Sequence, residues 1–269
     1  MKHLTTLALA LLLTACASAT SQTPTISKAE LAREQAAQKR IIDAETRNPT
    51  QTATKATAAM QARLKRVAKP IFNAGSTVCR ELGAKACNLP FHLEDKETDA
   101  VNAYTDGKKI VVTPAMMAFA KTDNQLATVL SHEYAHAIMA HPSKAGQNAT
   151  VGGLLGLAVD TLANSQGMNT SGMFSKLGAQ SAVMKYSQGF EKEADYIGMY
   201  ILKRSGFNID QAANLWRRMA TLNPKGIYVG SSHPTTAERY LLLGKTASEI
   251  KTKQKNGQTL LPDFKPEEG

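Results

Sequence analysis

Residues 126–141 read LATVLSHEYAHAIMAH. Leu126, Val129 and Leu130 recur at helical spacing, and Thr122 with Gln125 forms a capping-box match just ahead of them. One helix is therefore predicted from Thr122 to about His141, stopped by Pro142. Residues four apart share a helix face, so His132 and His136 can aim two imidazoles at one ion. Glu133 stands one step round the helix, placed to take a proton without ligating. Apolar neighbours (Leu130, Ala135, Ile138) bury the motif, and buried ionisable groups are costly unless paired or metal-bound. H-E-x-x-H on a helix is the arrangement of a zinc-dependent peptidase.

Catalytic zinc usually takes three protein ligands and keeps an open position. A third His six residues after His136 would make one class of such sites, but that position is Pro142. The remaining solution is a carboxylate on a later helix, and Glu191-x-x-x-Asp195 supplies one. The i, i+4 spacing puts both carboxylates on one face, with Glu191 as ligand and Asp195 as acceptor of a ligand histidine's N–H. Glu193 is a rival by type but lies about 200° round the helix from Glu191. One Zn2+ per chain is expected.

Upstream, residues 28–46 and 51–69 are helical in pattern, the second stopped by Pro70, and a third helix is predicted over about 71–82. Phe91–Leu93, residues 101–104 and residues 109–112 read as short strands, with Asp106-Gly107 as a hairpin turn between the last two. Residues 149–174, rich in Gly, Ala, Leu and Met, read as a mobile apolar segment or a partner-binding surface. A long helix follows over about 176–205, then helices at 211–221, capped by Asp210, and at 235–243, capped by Thr235. Residues 252–269 read as a polar, frayed tail. The fold class is α+β, mostly helical, with a small sheet beside the active-site helix. One catalytic domain is expected over 28–251.

Lys2, an apolar run from Leu4 to Leu13 and Leu13-Thr14-Ala15-Cys16 make a leader over residues 1–15 with a lipobox-like end. Cys16 would carry lipid, and residues 16–27 would tether it to the domain; an ordinary signal peptide is the other reading. Residues 13–16 resemble the lipobox of bacterial lipoproteins, and with Ala17 and Ser18 rather than Asp after the cysteine that resemblance implies the outer membrane, facing the periplasm. Cys79 and Cys87 remain as an even pair, read as a disulfide in an exported protein. The net charge of +10 is scattered rather than clustered, which argues against a nucleic-acid partner.

These residues together resemble the HtpX/BepA/LoiP/Oma-type gluzincin metallopeptidases. His132-Glu133-Tyr134-Ala135-His136, Tyr186-Ser187, Glu191-Lys192-Glu193-Ala194-Asp195, Ile197-Gly198, and Ser232-His233-Pro234-Thr235 with Glu238-Arg239 carry the resemblance, over about residues 60–245. The layout of lipobox plus bare catalytic domain is similar to the LoiP-like outer-membrane lipoprotein peptidases. The resemblance implies a gluzincin fold, Glu191 as third ligand, and proteolysis of unfolded or misassembled envelope proteins in quality control. An assembly or chaperone role for outer-membrane proteins, with zinc retained, is the alternative. It also implies that His233 approaches the metal, either occupying its open position or stabilising the oxyanion, and that Arg239 serves the oxyanion or anchors substrate. His141, near the end of the motif helix, reads as a C-terminal cation. Asn102-Ala103-Tyr104 resembles the edge strand along which extended substrate aligns.

Overall fold

A computed structural model describes residues 20–45, 53–166, 168–222 and 237–264. The leader, Cys16, His233 and Thr235 lie outside the described residues. Helices α1 (Lys28–Glu45) and α2 (Ala58–Glu81) precede strands β1 (Phe91–Leu93), β2 (Ala103–Thr105) and β3 (Ile110–Val112). Helices α3 (Pro114–Phe119), α4 (Asp123–Ile138), α5 (His141–Ser165), α6 (Met173–Arg204), α7 (Ala212–Leu222) and α8 (Ala237–Lys255) complete the chain, with a 3-10 turn at Ile209–Gln211. Two compact units result: Thr20–Met139 with Glu191–Gly269, and one containing Ala140–Phe190. The fold is α+β and mostly helical.

The two predicted helices either side of Pro70 are one, α2. Pro70 costs a hydrogen bond to the preceding turn. The continuous inner face of Leu64, Val67, Ile71, Ala74 and Val78, all buried, outweighs that loss. Thr57 caps the helix, accepting from the Met60 amide. Cys79 and Cys87 are bridged, tying the end of α2 to the approach to β1.

The sheet has order β1-β3-β2, with β3 central and fully buried. β1 runs parallel to β3, pairing Phe91 with Ile110. β2 is antiparallel to β3, pairing Ala103 with Val112, and the turn between them closes on Asp106, whose Oδ1 accepts from the Lys108 and Lys109 amides. Gly107 takes the left-handed conformation that this turn requires (φ 84°). β2 is thus an edge strand, and it packs on α4.

Among the described residues, 20–22 and 260–264 pair with each other and pack on the fold. Ser21 pairs with Phe264, and the Gln22 amide donates to the Asp263 carbonyl at 2.8 Å. The backbone amides of Thr20 and Ser21 both donate to the Glu193 carboxylate, at 2.5 Å each. Leu260 and Leu261 pack on the core, which explains why the polar composition of this stretch misled. In the other unit, residues 141–165 form α5, so most of the apolar 149–174 segment is helical. Pro142 stands in its first turn, where a missing N–H costs nothing, and Ala140 just ahead of it is left-handed (φ 54°).

Candidate metal centre

The N-terminus of α4 is fixed before its histidines are reached. Thr122 caps it, accepting from the Gln125 amide at 3.2 Å. Gln125 does not reach back to complete a capping box; its Oε1 accepts from Arg218. Asp123, in the first turn, ion-pairs with Arg66 and with Arg63 Nε at 3.0 Å. Arg63 also donates to the carbonyls of Met117 and Ala120, so α2, α3 and α4 share one clamp. Further along, the Tyr134 ring fits against Gly75, where a Cβ would come within 2.8 Å of it. The Tyr134 hydroxyl donates to the Cys87 carbonyl at 2.7 Å.

α6 crosses α4 at Gly198, where a Cβ would stand only 3.2 Å from the Cα and N of His132. That close approach brings Glu191, about two turns further back on α6, to both histidines. The two imidazole Nε2 atoms are 3.0 Å apart. Glu191 Oε2 lies 3.3 Å from His132 Nε2, and Oε1 lies 3.2 Å from His136 Nε2. Ligands about 2.0–2.1 Å from a tetrahedral zinc are separated from one another by roughly 3.3 Å. The observed spacings therefore fit one ion of that size. His132, His136 and Glu191 are buried, and Glu133 beside them is 1% exposed.

Asp195 Oδ1 lies 3.0 Å from His132 Nδ1, on the far side of the ring from Glu191. An ionised Asp195 fixes the Nδ1–H tautomer and leaves Nε2 as the lone-pair donor. Burial pushes the Asp195 carboxyl up, but Arg239 and then His132 outweigh it and hold it below the usual range. Burial likewise disfavours a charged His132, while Asp195 and Glu191 outweigh it and raise its proton affinity.

The structure places Arg239 at 2% exposure, inside the site rather than at its mouth. Its Nε and Nη2 donate to Asp195 at 2.6 and 2.8 Å, and its Nη1 lies 2.9 Å from Glu191 Oε2. A guanidinium committed to two buried carboxylates is not presented to a substrate oxyanion, so this geometry gives the oxyanion role of Arg239 no support. Trp216 was not anticipated from the sequence as part of the site. Its ring meets His132 edge-on at 4.9 Å between centroids and stacks under the Arg239 guanidinium at 4.8 Å. The signal was available: Ala212, Leu215 and Trp216 recur at helical spacing, marking the inner face of α7. Behind His132 a cavity of about 10 Å³, lined by Ser131, Gly198 and Trp216 among others, has room for one water only. Glu193 faces elsewhere on α6, held by Thr20 and Ser21.

His141 is not a C-terminal cation of α4. It opens α5, is 3% exposed and stacks on Phe190 at 4.5 Å. Asn102 is pinned by Thr113, its amide donating to Thr113 Oγ1 at 3.1 Å and its carbonyl accepting from the Thr113 amide at 3.0 Å, while Ala103 pairs with Val112 in the sheet. Tyr104 stands exposed on the edge, its hydroxyl donating to Glu94.

Residues 58–246 match the sequence profile of Peptidase family M48. The chain belongs to that family. His132, Glu133, His136, Glu191, Asp195 and Arg239 all fall within the matched span. Among similar proteins, the Beta-barrel assembly-enhancing protease of Yersinia pestis is 32% identical over 145 residues, 51% of this chain and 30% of its own length. The Mitochondrial metalloendopeptidase OMA1 of Saccharomyces cerevisiae is 30% identical over 156 residues, 55% of this chain and 44% of its own. The Beta-barrel assembly-enhancing protease of Escherichia coli K12 is 29% identical over 132 residues, covering 46% and 27%. The chain thus matches less than half the length of each relative. The M48 chain carries a buried His-His-Glu cluster whose geometry fits a metal ion.

Proposed function

We propose that this M48 peptidase binds zinc and hydrolyses peptide bonds of unfolded or misassembled proteins in the cell envelope, held at the outer membrane by lipid on Cys16. The observation that carries this reading is the convergence of two imidazole Nε2 atoms and the Glu191 carboxylate, with Glu133 one residue from the first imidazole. His132, His136 and Glu191 would hold the ion. When bound, zinc supplies Lewis acidity that polarises a carbonyl and lowers the pKa of water to about 7.

The chain's own residues do the rest. Asp195 orients His132, and Arg239 pairs with both buried carboxylates, balancing their charge. Glu133 takes the proton of the attacking water and returns it to the leaving nitrogen as the C–N bond breaks. The open side of β2 offers backbone groups to an extended substrate, which would add as a further strand beside α4. Only polypeptide with free backbone can pair in this way, which supports unfolded protein as the substrate class. The names of the relatives include proteases and a role in β-barrel assembly, in line with such a role here.

The test is incubation of the purified protein with an unfolded polypeptide, with and without chelator, beside Glu133→Gln. Cleavage should be lost on chelation, restored by zinc, and reduced by about 10²–10⁴-fold in Glu133→Gln. Equal cleavage by Glu133→Gln would remove Glu133 from the mechanism. Full rescue of a deletion strain by that variant would favour the non-proteolytic assembly role.

A further inference from the structure

Among the described residues, nine large apolar side chains are exposed, and seven of them fall between residues 154 and 177: Leu154, Leu157, Val159, Leu162, Met168, Met173 and Leu177. They decorate the α5–α6 hairpin, and they do so inside out. On α5 the face turned inward carries Gly156, Asp160 and Ala163, whereas Leu154, Leu157 and Leu162 stand on the face turned outward, 49–67% exposed. A Cβ on Gly156 would overlap the Phe174 carbonyl, so small residues set the helix-to-helix contact. Small residues within and leucines without is the distribution of helices whose surroundings are apolar, the reverse of a helix packed for water.

The charges agree. Between Lys144 and Lys176 the only ionisable side chain is Asp160. It is 2% exposed and spent on capping α6, accepting from the amides of Phe174 at 3.1 Å and Ser175 at 2.8 Å. The nearest flanking charges, Lys144 and Lys176, are both positive, and no other acidic residue occurs in the sequence between Lys144 and Glu191. An uncharged apolar tip with a cationic border complements an anionic lipid surface, acyl chains for the leucines and headgroups for the lysines. The exposed leucines of α5 span about 12 Å at 1.5 Å per residue, less than half of a hydrocarbon core of about 30 Å. No helix among the described residues is long and apolar enough to cross a membrane.

We propose that the α5–α6 hairpin docks its tip into one leaflet of an anionic phospholipid bilayer. The contact is independent of any lipid on Cys16 and of the peptidase chemistry. A second copy of the chain, or an apolar stretch of polypeptide, would leave the lysine border without a counter-charge.

The experiment places an environment-sensitive fluorophore on Leu162→Cys, and for comparison on Lys255→Cys, in the full chain bound to vesicles of phosphatidylethanolamine and phosphatidylglycerol. Spin-labelled lipids in the vesicles act as quenchers. The Leu162 probe should be quenched several-fold more than the Lys255 probe, and quenching should fall when phosphatidylglycerol is replaced by a neutral lipid. In a Cys16→Ser background, Leu157→Asp with Leu162→Asp should lower vesicle partitioning by about tenfold or more. Cleavage of a soluble unfolded substrate by the doubly substituted protein reports that it is folded. Equal quenching at the two sites, or partitioning unchanged by the aspartates, overturns the proposal. So does a Leu162 signal that follows protein concentration in the absence of vesicles, which would assign the face to a second copy.

Discussion

Arg239→Met removes a guanidinium while keeping most of its aliphatic volume. In the native site that group donates to Asp195 through Nε and Nη2 and pairs with Glu191 through Nη1, and all three side chains are at most 3% exposed. Removing one partner of a buried ion pair costs about 3–5 kcal/mol, because the other charge stays behind in a poor dielectric. For a domain of 150–250 residues, about 2–4 °C of Tm is lost per kcal/mol, so the metal-free variant should melt roughly 6–20 °C below the wild type. Zinc should narrow that gap, because a cation on Glu191 replaces part of the missing charge. Arg239→Lys should fall between the two: it keeps the charge but cannot fork across two carboxylates or lie flat on Trp216. Thermal melts by circular dichroism, in chelator and in zinc, give all six values. A chelated Arg239→Met protein melting within a degree or two of the wild type would refute the charge-balancing role. A gap unaffected by zinc would detach Arg239 from the metal centre.

Gly198→Ala should push α6 away from α4 by a few tenths of an ångström, since its Cβ would stand 3.2 Å from His132 Cα. The cost is about 1–3 kcal/mol of overpacking, expressed as weaker zinc binding in competition with a chromogenic chelator; unchanged affinity would show that the helix crossing does not set the ligand distances. Asp123 is held below its usual 3.8, first by the Arg66 hydrogen bond and also by Arg63, against the opposing effect of burial. A lowered folded pKa means that its stabilising effect is present above about pH 4 and disappears as the pH falls through the lowered value. The Tm difference between wild type and Asp123→Asn should therefore be constant at neutral pH and shrink in acid; a difference that persists undiminished in strong acid would contradict the clamp on the α4 terminus.

Much of the site was legible because its parts are periodic. His132 and His136 share a face by spacing alone, and Glu191 and Asp195 do the same on α6. The Asp106-Gly107 turn and the Thr122 cap were legible for a similar reason, since each is a local contest settled within four residues. Arg239 was not legible in that way. Its partners lie 44 and 48 residues earlier, and no sequence spacing reports where a long side chain ends after two helices cross. Pro70 misled because a local penalty was outweighed by a buried face that only the tertiary fold supplies. Residues 149–174 read as an apolar segment without a helix assigned to it, yet its glycine is what allows α5 to lie against α6 at Gly156. The segment's composition was read as apolar; its regularity was hidden because its partner surface includes another helix, met at Phe174.

Metal content per chain, measured by inductively coupled plasma mass spectrometry after gel filtration, separates the ligands from the proton-transfer group. Wild type and Glu133→Gln should each carry about one zinc, the second with peptidase activity lowered by about 10²–10⁴-fold, while His132→Ala, His136→Ala and Glu191→Ala should carry almost none. A folded Glu191→Ala protein that keeps a full equivalent of zinc would contradict the three-ligand centre on which the proposed chemistry stands.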